Sequence, residues 1–501
     1  MLKKAKWPVS GFPRWLAAFL VGAALNLAFA PYRQIWVAPL ALAILYGLLK
    51  GVRARAAFGR GCAFGAGLFA FGVPWIYLTL SRFGGMPAAA AALACGLFIA
   101  ILAFYAGLAC AAFARLQSGD GLDPWLFAAI WVLGEWVRGV FLTGFPWLDV
   151  GYAASAPPLM AWAPLVGVLG LSFILTVSGA LVAEALRGRW RGLLPVFLMA
   201  GVTPALAGLS FVHRVGAPIT ASLIQGDVLP TAKWHPGTLR IIARRYLRLT
   251  GESDGRLVIW PETAIPAYSH QLRRGFIPTM QRLARIGGRH FLFGLVEGNA
   301  HDPRGPVYNA VMSIGRHDGF YRKRHLVPFG EYLPWPSVLG PVLDILHIPM
   351  ASFTPWHGAE PPLPAAHARI GLTICYEIAY GSLVTQGLPG ATLLANVSDD
   401  SWYGHSNEAA QQLEIAQLRA AEAGRDMLIA TNDGMTAMIG HTGRIRARLA
   451  PFREGVLTVV AEPYAGLTPY DRFGHTGVLA ALMLVVAAAG WRRRRGRRLP
   501  A

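Results

Sequence analysis

The amino-acid sequence predicts a polytopic α-helical membrane protein of about eight spans that carries one α/β domain. Of its 501 residues, 54% are hydrophobic and only 14% are charged, against about a quarter charged in soluble proteins. The apolar residues are concentrated in runs that are long enough, or nearly so, to cross ~30 Å of hydrocarbon as helices. These runs are 13–30, 34–50, 57–80, 87–114, 124–143, 157–186, 192–212 and 475–491.

One segment of mixed composition, about 213–470, separates the seventh apolar run from the last and has the size of a single domain. In it, β-rich stretches alternate with helical patterns, which favours layers in which helices cover apolar strands. We therefore predict a seven-span region 1–212, an α/β domain 213–470, and a final helix with a basic tail, 471–501. Strands are predicted at 220–228, 256–262, 291–298, 307–315, 370–377, 391–399, 427–433 and 456–462, and helices at 236–250, 270–286 and 407–424.

The distribution of Lys and Arg predicts the orientation of the spans, because basic connections stay on the cytoplasmic side. With eight spans, every strongly basic connection falls on one side, and the connections on the other side hold only Arg33 and Arg82. We therefore expect both termini to be cytoplasmic and the α/β domain to face the other way.

The formal net charge of +20 does not by itself indicate a nucleic-acid partner. Much of the charge is juxtamembrane, where it orients helices and meets anionic lipid, so no nucleic acid is expected. Residues 1–30 also have the basic start and apolar stretch of a signal peptide. Because further apolar runs follow at once, we expect the first span to be retained.

Three polar residues stand where strands of the α/β domain are predicted to end, which is where the sites of such domains usually form. Glu262 closes "LVIWPE", Lys323 stands in the basic run "YRKRH", and Cys375 ends the strand "IGLTIC". Each has an ordinary structural explanation: a helix cap, a solvated basic face and a buried, inert thiol. Together they supply a base, a cation and a thiol, which is what covalent acyl transfer requires.

Cys375 differs from the other cysteines, Cys62, Cys95 and Cys110, which lie in apolar runs and act there as small hydrophobes. An exported domain meets oxidising conditions, in which cysteines are usually paired or absent. Cys375 is the only cysteine of 213–470, so no disulfide within the domain is possible. We infer that this thiol has a chemical function and not a structural one.

Several motifs carry a resemblance to a known family. "WPE", "YRKRHLVPFGEYLP", "CYE", "NVSDDSWYG" and "TNDGMTA" resemble the carbon–nitrogen hydrolase (nitrilase) superfamily. The spans, "EWVRGVFLTGFPWLDVGY" and "QGDVLPTAKW" are similar to one branch of it, the bacterial apolipoprotein N-acyltransferases. The resemblance implies a nitrilase-like αββα sandwich on the periplasmic face of the cell inner membrane. It also implies transfer of a phospholipid acyl chain to the N-terminal amine of a diacylglyceryl-cysteine apolipoprotein, the last step of lipoprotein maturation.

Carried over by motif, the resemblance implies a Glu–Lys–Cys triad. Glu262 matches the general base, Lys323 the triad lysine, and Cys375 the nucleophile that carries a thioester acyl-enzyme. Further implied site residues are the supporting Glu331, Tyr376 and Glu377 and the substrate-binding Trp234 and Asn309. The chain departs from the family pattern at Glu408-Ala409 and Gln411-Gln412, where Gly-Pro and Gln-His pairs are common.

The residues agree with this chemistry. A free thiol titrates near pH ~8.5, so Lys323 is needed to favour the thiolate and Glu262 to take the proton. Lys323 and the backbone N–H of Tyr376 would stabilise the oxyanion. No metal or nucleotide cofactor is expected, since the sequence has no His/Cys ligand cluster and no phosphate-cradling Gly loop.

Transfer rather than hydrolysis requires that water be excluded from a thioester. The apolar segment 335–350, with Trp234 and Trp402, is predicted to offer surface that dips into lipid, or else to pack on its own domain. Glu135 and Arg138, near the outer end of the fifth span, are predicted to hold a lipid headgroup. A mutually neutralising structural pair is the alternative.

Two other functions fit parts of the sequence. A membrane-anchored amidase of the nitrilase type would hydrolyse its substrate, but seven leading spans are excessive for an anchor. A transporter with an exported binding domain would show internal repeats or charges deep in several spans, and the spans are nearly free of such charges. We expect a monomer whose partners are a phospholipid acyl donor, apolipoproteins and membrane lipid.

Overall fold

The computed structural model describes residues 13–235, 237–302, 305–337 and 352–498. The described chain forms two compact units. The first contains residues 13–77, 89–209 and 473–498, and the second contains 78–88 and 210–472. The second unit thus includes Leu78–Ala88, which covers the predicted connection between the third and fourth apolar runs and the adjoining ends of both.

Helices of the described chain lie at all eight predicted apolar runs. Five of these helices are long and apolar enough to cross a membrane: Ala88–Leu116, Asp123–Thr143, Leu159–Ala185, Trp190–Ala207 and Thr476–Arg495. A bent pair, Ala54–Gly72 with Trp75–Phe83, and two shorter apolar helices, Arg14–Ala28 and Val37–Leu49, lie at the other three. The count of eight spans and their orientation stay predictions.

Glycines let helices of the first unit approach closely. A Cβ at Gly22 would lie 2.0 Å from the Phe64 carbonyl oxygen, and one at Gly67 would lie 2.0 Å from that of Phe19. The helices Arg14–Leu25 and Ala54–Gly72 therefore meet backbone to backbone. Such small-residue contacts hold helices together where lipid provides no hydrophobic driving force.

The second unit is built on two mixed β-sheets. Within the described residues, one sheet has seven strands in the order β14-β2-β3-β5-β6-β7, with β4 paired to β5, and the other has six in the order β13-β12-β11-β10-β9-β8. β1 pairs with β15 separately. The strands are β1 (Val212–Arg214), β2 (Ile219–Gln225), β3 (Leu257–Ile259), β4 (Ile265–Tyr268), β5 (His290–Glu297), β6 (Tyr308–Ile314), β7 (Gly319–Arg322), β8 (Leu363–Ala365), β9 (Ala368–Ile374), β10 (Leu393–Ser398), β11 (Met427–Thr431), β12 (Ala437–Ile439), β13 (Ile445–Arg448), β14 (Gly455–Ala461) and β15 (Tyr464–Gly466).

Parallel strands at the centre of each sheet bring the candidate residues to common edges. β2, β3 and β5 run parallel in the first sheet, and β9, β10 and β11 run parallel in the second. Glu262 follows β3 after two residues and Cys375 follows β9 directly. Side chains just beyond the carboxyl ends of parallel strands are well placed to form a site.

Helices cover the sheets as the alternation of patterns predicts. Leu239–Gly251 and Phe276–Gly287 pack on the seven-stranded sheet, where the ring of Tyr246 stacks on that of Trp260 at 5.0 Å. The predicted helix 407–424 is observed as Glu408–Ala423. It ends at Gly424, whose φ of 58° is left-handed and favours glycine.

Seven short strands were not predicted from the sequence. They have three or four residues each, too few to show an alternating pattern above that of a loop. They are β1, β4, β7, β8, β12, β13 and β15.

Candidate active site

Glu262 lies at the centre of a buried hydrogen-bond network. Its Oε1 accepts from Asn309 Nδ2 at 2.6 Å and from Lys323 Nζ at 3.1 Å. Its Oε2 accepts from the backbone N–H of Asp399 at 3.1 Å. The side chain is 9% exposed. Three donors thus fix the carboxylate while leaving it an acceptor, as a general base must be.

Lys323 is held between two carboxylates. It follows β7, and its backbone N–H donates to the Asn309 carbonyl at 2.8 Å. Its Nζ contacts Glu262 Oε1 and, at 2.9 Å, Glu331 Oε1. Burial lowers the pKa of Lys323, but Glu262, Glu331 and Cys375 outweigh burial and hold that pKa well above its usual value. The ammonium is therefore a permanent positive charge in the site.

Cys375 sits on a strained turn at the end of β9. Its φ of 52° is left-handed, which a residue with a Cβ rarely adopts without compensation. Asn396, in the neighbouring β10, donates from Nδ2 to the Cys375 carbonyl at 3.2 Å and helps to hold this turn. Strain of this kind is characteristic of functional residues and presents the side chain beyond the sheet edge.

The thiol of Cys375 is protonated at rest. Burial raises the pKa of the thiol well above its usual value, and the charge of Glu262 adds to this effect. Lys323 acts in the opposite direction, as the sequence predicts, but does not outweigh burial. To act as a nucleophile, this thiol would need a base at the moment of attack.

Glu377 joins the nucleophile turn to the segment that carries Lys323. One oxygen accepts from the backbone N–H groups of Arg324 at 2.7 Å and His325 at 3.1 Å. The other accepts from the N–H of Ile374 and the hydroxyl of Tyr321, both at 2.8 Å. Glu377 is fully buried, and burial raises its pKa. Because it spans both chain segments, it fixes Lys323 relative to Cys375.

The amide of Asn309, predicted to bind substrate, bridges two carboxylates. Its Nδ2 donates to Glu262 Oε1 at 2.6 Å and to Glu331 Oε1 at 2.7 Å. Glu331 also accepts from the Val327 N–H through Oε2 at 2.8 Å. Asn309 therefore holds the carboxylates of Glu262 and Glu331 close together, and its role toward substrate stays a prediction.

The other predicted residues lie near these elements with different exposures. Tyr376 follows the nucleophile, is buried, and accepts a hydrogen bond from the Tyr380 hydroxyl at 3.2 Å. Trp234 follows the short helix Pro230–Lys233 and is 50% exposed. The Trp402 carbonyl accepts from Thr79 Oγ1 at 3.0 Å within the second unit. Most of the predicted apolar segment 335–350 lies outside the described residues.

A buried ion pair behind Glu262 was missed in the sequence. Lys233 Nζ contacts Asp399 Oδ2 at 2.5 Å and donates to the Glu262 carbonyl at 3.2 Å. Asn432 Nδ2 donates to the other Asp399 oxygen at 2.9 Å. Asp399 in turn supplies the N–H that holds Glu262 Oε2. The motifs "TAKW", "NVSDD" and "TNDG" were the only signal for this cluster.

Glu135 and Arg138 lie in the first unit, on the helix Asp123–Val140, and both are buried. Arg138 forms its ion pair with Asp149 at 2.6 Å and donates to the Trp147 carbonyl at 2.5 Å. Glu135 Oε1 accepts from Trp131 Nε1 and from the Val150 N–H, each at 2.9 Å. Both side chains thus have protein partners, and the predicted headgroup contact stays a prediction.

The site is suited to acyl transfer through a covalent intermediate. It combines a buried thiol, a fixed carboxylate and a permanent ammonium, which are the nucleophile, base and oxyanion partner of such a reaction. Within the described residues, no cluster of three or more His, Cys, Asp or Glu side chains has the geometry of a metal site.

Comparison with known proteins covers both regions of the chain. Residues 21–181 match the model of the apolipoprotein N-acyltransferase N-terminal domain, and residues 221–464 match the carbon–nitrogen hydrolase model. An apolipoprotein N-acyltransferase from Nitrosomonas europaea is 38% identical over 504 residues, which cover 98% of this chain and 99% of the relative. One from Methylococcus capsulatus is 37% identical over 487 residues, 96% of each chain.

Solved structures also align with part of the chain. A CN-hydrolase superfamily protein from Xanthomonas campestris, crystallised with an arsenic adduct in its active site, aligns over 55% of this chain and 97% of its own, with 16% identity and a TM-score of 0.37. The carbon–nitrogen hydrolase match confirms the predicted nitrilase-like domain, and the near full-length identity confirms the predicted resemblance. The chain belongs to the apolipoprotein N-acyltransferase family of the carbon–nitrogen hydrolase superfamily.

Proposed function

We propose that this protein transfers an acyl chain from a membrane phospholipid to the N-terminal amine of a diacylglyceryl-cysteine apolipoprotein. One network of contacts carries the proposal. In it, Lys323 and Asn309 join the carboxylates of Glu262 and Glu331. The charges of Lys323 and Glu262 also act on the pKa of the Cys375 thiol. Family membership supplies the substrates, since the relatives are named apolipoprotein N-acyltransferases.

In the first half-reaction, Cys375 attacks the ester carbonyl of the phospholipid. Because the resting thiol is protonated, Glu262 takes its proton as the carbon–sulfur bond forms. The oxyanion is stabilised by the Lys323 ammonium and by the backbone N–H of Tyr376. The intermediate then expels the lysophospholipid alkoxide, which takes the proton back from Glu262, and a thioester remains on Cys375.

In the second half-reaction, the α-amine of the apolipoprotein attacks the thioester. An α-amine has a reference pKa of about 8, so it is partly neutral at physiological pH and needs only one proton removed during attack. Glu262 takes that proton and passes it to the departing Cys375 sulfur. Donor and acceptor therefore use the same base and the same oxyanion partners in turn, which is a ping-pong reaction.

The thioester must be kept from water if transfer is to outcompete hydrolysis. Exposed apolar side chains lie in the same chain segments as Lys233 and Glu331, which surround Glu262: Leu229, Trp234, Phe329 and Trp335. A soluble domain rarely exposes several large apolar groups together without a partner for them. We propose that this surface meets the acyl chain and the bilayer, with the catalytic domain on the periplasmic face and both termini in the cytoplasm.

The reaction is tested with purified full-length protein in phospholipid vesicles and a synthetic diacylglyceryl-cysteine peptide. We expect one N-acylated peptide for each lysophospholipid released, with Cys375→Ala inactive and Lys233→Arg, which keeps a cation beside Asp399, folded and partly active. Release of free fatty acid with the peptide unmodified would instead support the amidase. If the peptide crosses the vesicle membrane with no change in its mass, the protein is a transporter.

A further inference from the structure

Ser398, at the end of β10, lies between the nucleophile and a second buried carboxyl group. It follows Val397, which pairs with Ile374 of β9, so it lies beside Cys375, and as a hydrogen-bond partner it lowers the pKa of the Cys375 thiol. Its hydroxyl oxygen lies 2.5 Å from Asp400 Oδ1 and accepts from Gln412 Nε2 at 3.2 Å. Gln412 stands at a position where the sequence departs from the family pattern. Gln412 is thus linked to the candidate active site by its hydrogen bond to Ser398.

The Ser398 hydroxyl has a single proton and two lone pairs. One lone pair accepts from Gln412, so one proton and one lone pair remain for Asp400 and Cys375. An ionised Asp400 has no proton to give and takes the Ser398 proton for itself. A protonated Asp400 donates its own proton to Ser398, which frees the Ser398 proton for the sulfur. The protonation state of Asp400 therefore decides whether Ser398 donates its proton in a hydrogen bond to the Cys375 sulfur.

The surroundings of Asp400 favour its protonated form. Its Oδ2 is buried and has no hydrogen-bond partner in the part of the chain that the structure describes. A Cβ at Gly434 would lie 1.8 Å from this oxygen, so the glycine lets backbone cover it. An unpaired buried oxygen is costly when charged. Burial raises the pKa of Asp400 to about 7; the hydrogen bond with Ser398 acts against this rise, and the charges of Asp399 and Glu262 add to it.

Other ionisable groups act on Asp400 and Cys375 from neighbouring elements. Carboxylates dominate around Asp400, while the Cys375 sulfur also senses the Lys323 ammonium. The groups are Glu262, Asp399, Glu408, Asp433, Tyr403, Lys323 and Lys233.

We propose that Ser398 and Asp400 form a hydrogen-bond relay that stabilises the Cys375 sulfur whenever it carries negative charge. Ser398 touches the reacting atom, and Asp400 is a positioning residue that acts through Ser398. No net proton is consumed, because the relay only turns the Ser398 proton toward the sulfur during attack and during departure. The proposal rests on Cys375 being the nucleophile of the proposed function, but it concerns the reactivity of the thiol and not the identity of the substrate.

The relay is tested by the pH profile of Cys375 alkylation with iodoacetamide in the full-length protein, read by mass. In the wild type, the rise of the rate with pH should flatten above about 7, where Asp400 ionises and withdraws the Ser398 proton. Ser398→Ala should react about tenfold more slowly at pH 7, the loss that one pKa unit in the thiol produces. Ser398→Thr, which keeps a hydroxyl, should stay close to the wild type. Asp400→Asn carries a permanent N–H donor, so its rate should keep rising through pH 7.

A double mutant separates the relay from a simple charge effect. In the relay, Asp400→Asn has little effect once Ser398 is Ala. If it changes the profile equally in both backgrounds, or if Ser398→Ala alkylates like the wild type, the relay is wrong. Ser253→Ala is the matched control, since it also removes a buried serine hydroxyl, one that donates to the Thr250 carbonyl at 2.8 Å. A normal alkylation profile with no acyl transfer would overturn the proposed function alone.

Discussion

Glu262 and Glu331 share the same two donors but differ in their remaining contact. Each accepts from Asn309 Nδ2 and Lys323 Nζ through Oε1. The second oxygen of Glu262 is bound by the Asp399 N–H on the edge of β10, whereas that of Glu331 is bound by Val327 of its own loop. Of these two carboxylates, Glu262 is the one whose charge raises the pKa of the Cys375 thiol. We therefore predict separate tasks for the two carboxylates, base for Glu262 and support for Glu331.

This difference predicts unequal effects of the two isosteric substitutions. Glu262→Gln removes the proton acceptor and should lower the rate of acyl transfer by ~10²–10⁴-fold. Glu331→Gln removes one charge-assisted contact to Lys323 and should cost about 10–100-fold, the equivalent of one such hydrogen bond. Lys323→Arg keeps the charge but not the compact single-point contact, so it should also fail. Single-turnover acylation measures all three, and equal losses in the two Gln variants would contradict the assignment.

Asn309 shows how far the contacts of a single residue can be predicted from the sequence. The motifs placed Glu262, Lys323 and Cys375 together, and the structure brings the first two into contact. The Asn309 amide, assigned to substrate, turns out to bridge carboxylates. Which partner an amide selects depends on distances between strands far apart in the chain. No local pattern encodes those distances.

Asp433 allows a test of how a buried carboxyl group changes the free energy of unfolding with pH. Burial raises its pKa to about 8, and Asp399, Asp400 and Asp227 add to the effect. The folded state therefore keeps a proton that the unfolded chain loses near its usual, lower pKa. The free energy of unfolding should thus fall as pH rises from about 4 to 8.

Asp433→Asn should reduce this pH dependence. The midpoint of thermal unfolding, followed by tryptophan fluorescence at pH 5 and pH 8, should differ less in the variant than in the wild type. The exposed Asp302→Asn serves as control. An unchanged difference in the Asp433 variant would show that the carboxyl is ionised in the folded protein at both pH values.

At the scale of elements, the site is the meeting point of a strand end, a loop and a helix. Glu377 ties the loop after β7 to the turn after β9. The helix Glu408–Ala423 holds the far side of the same turn, because Arg419 donates to the carbonyls of Ile378 at 3.0 Å and Ala379 at 3.1 Å. The left-handed φ of Cys375 is therefore imposed by several contacts and not by the residue itself.

Glu377→Gln should damage this arrangement although it preserves size. The Gln amide presents N–H groups to N–H donors, and each buried donor left unpaired costs ~1–3 kcal/mol of unfolding free energy. We expect a lower midpoint of thermal unfolding and slow alkylation of Cys375. Glu297→Gln, which loses a part-exposed pair with Arg322, should shift the midpoint much less. Equal shifts would mean that Glu377 is not the joint between the two segments.

The long elements were predictable from the sequence, and the tertiary contacts between them were not. The helix Glu408–Ala423 has a periodic pattern and a glycine stop, so its limits were predicted within a residue. The pair Lys233–Asp399 joins residues far apart in the chain, and the motifs at its two ends do not show that these residues meet. For the same reason the sequence did not predict the ion pair of Arg138 with Asp149, and gave Glu135 as the alternative partner of Arg138 to a lipid headgroup.

At the scale of the whole molecule, hydropathy located helices at all eight apolar runs because length and composition are local properties. The grouping of Leu78–Ala88 with the second unit is not local. It depends on contacts such as the edge-to-face packing of Phe83 on Trp402 at 6.2 Å. Those contacts join residues far apart in the chain, which a hydropathy pattern does not record.

The predicted orientation is open to a direct test. The basic connections predict that both termini lie in the cytoplasm and that residue 300 lies outside it. Alkaline phosphatase, which is active only outside the cytoplasm, should therefore be active when fused near residue 300 and silent when fused after Arg498. The opposite pattern would place Glu262, Lys323 and Cys375 in the cytoplasm, away from exported lipoproteins.

The central claim is that Cys375 is acylated by phospholipid before any acceptor binds. Purified protein is incubated with phospholipid alone, and its intact mass is measured. We expect a gain of one acyl chain that neutral hydroxylamine reverses, because hydroxylamine cleaves thioesters. Cys375→Ser should lose this sensitivity, and addition of a diacylglyceryl-cysteine peptide should discharge the wild-type adduct onto the peptide amine. No adduct on the wild type, with lipid and protein both intact, would contradict the acyl-enzyme mechanism.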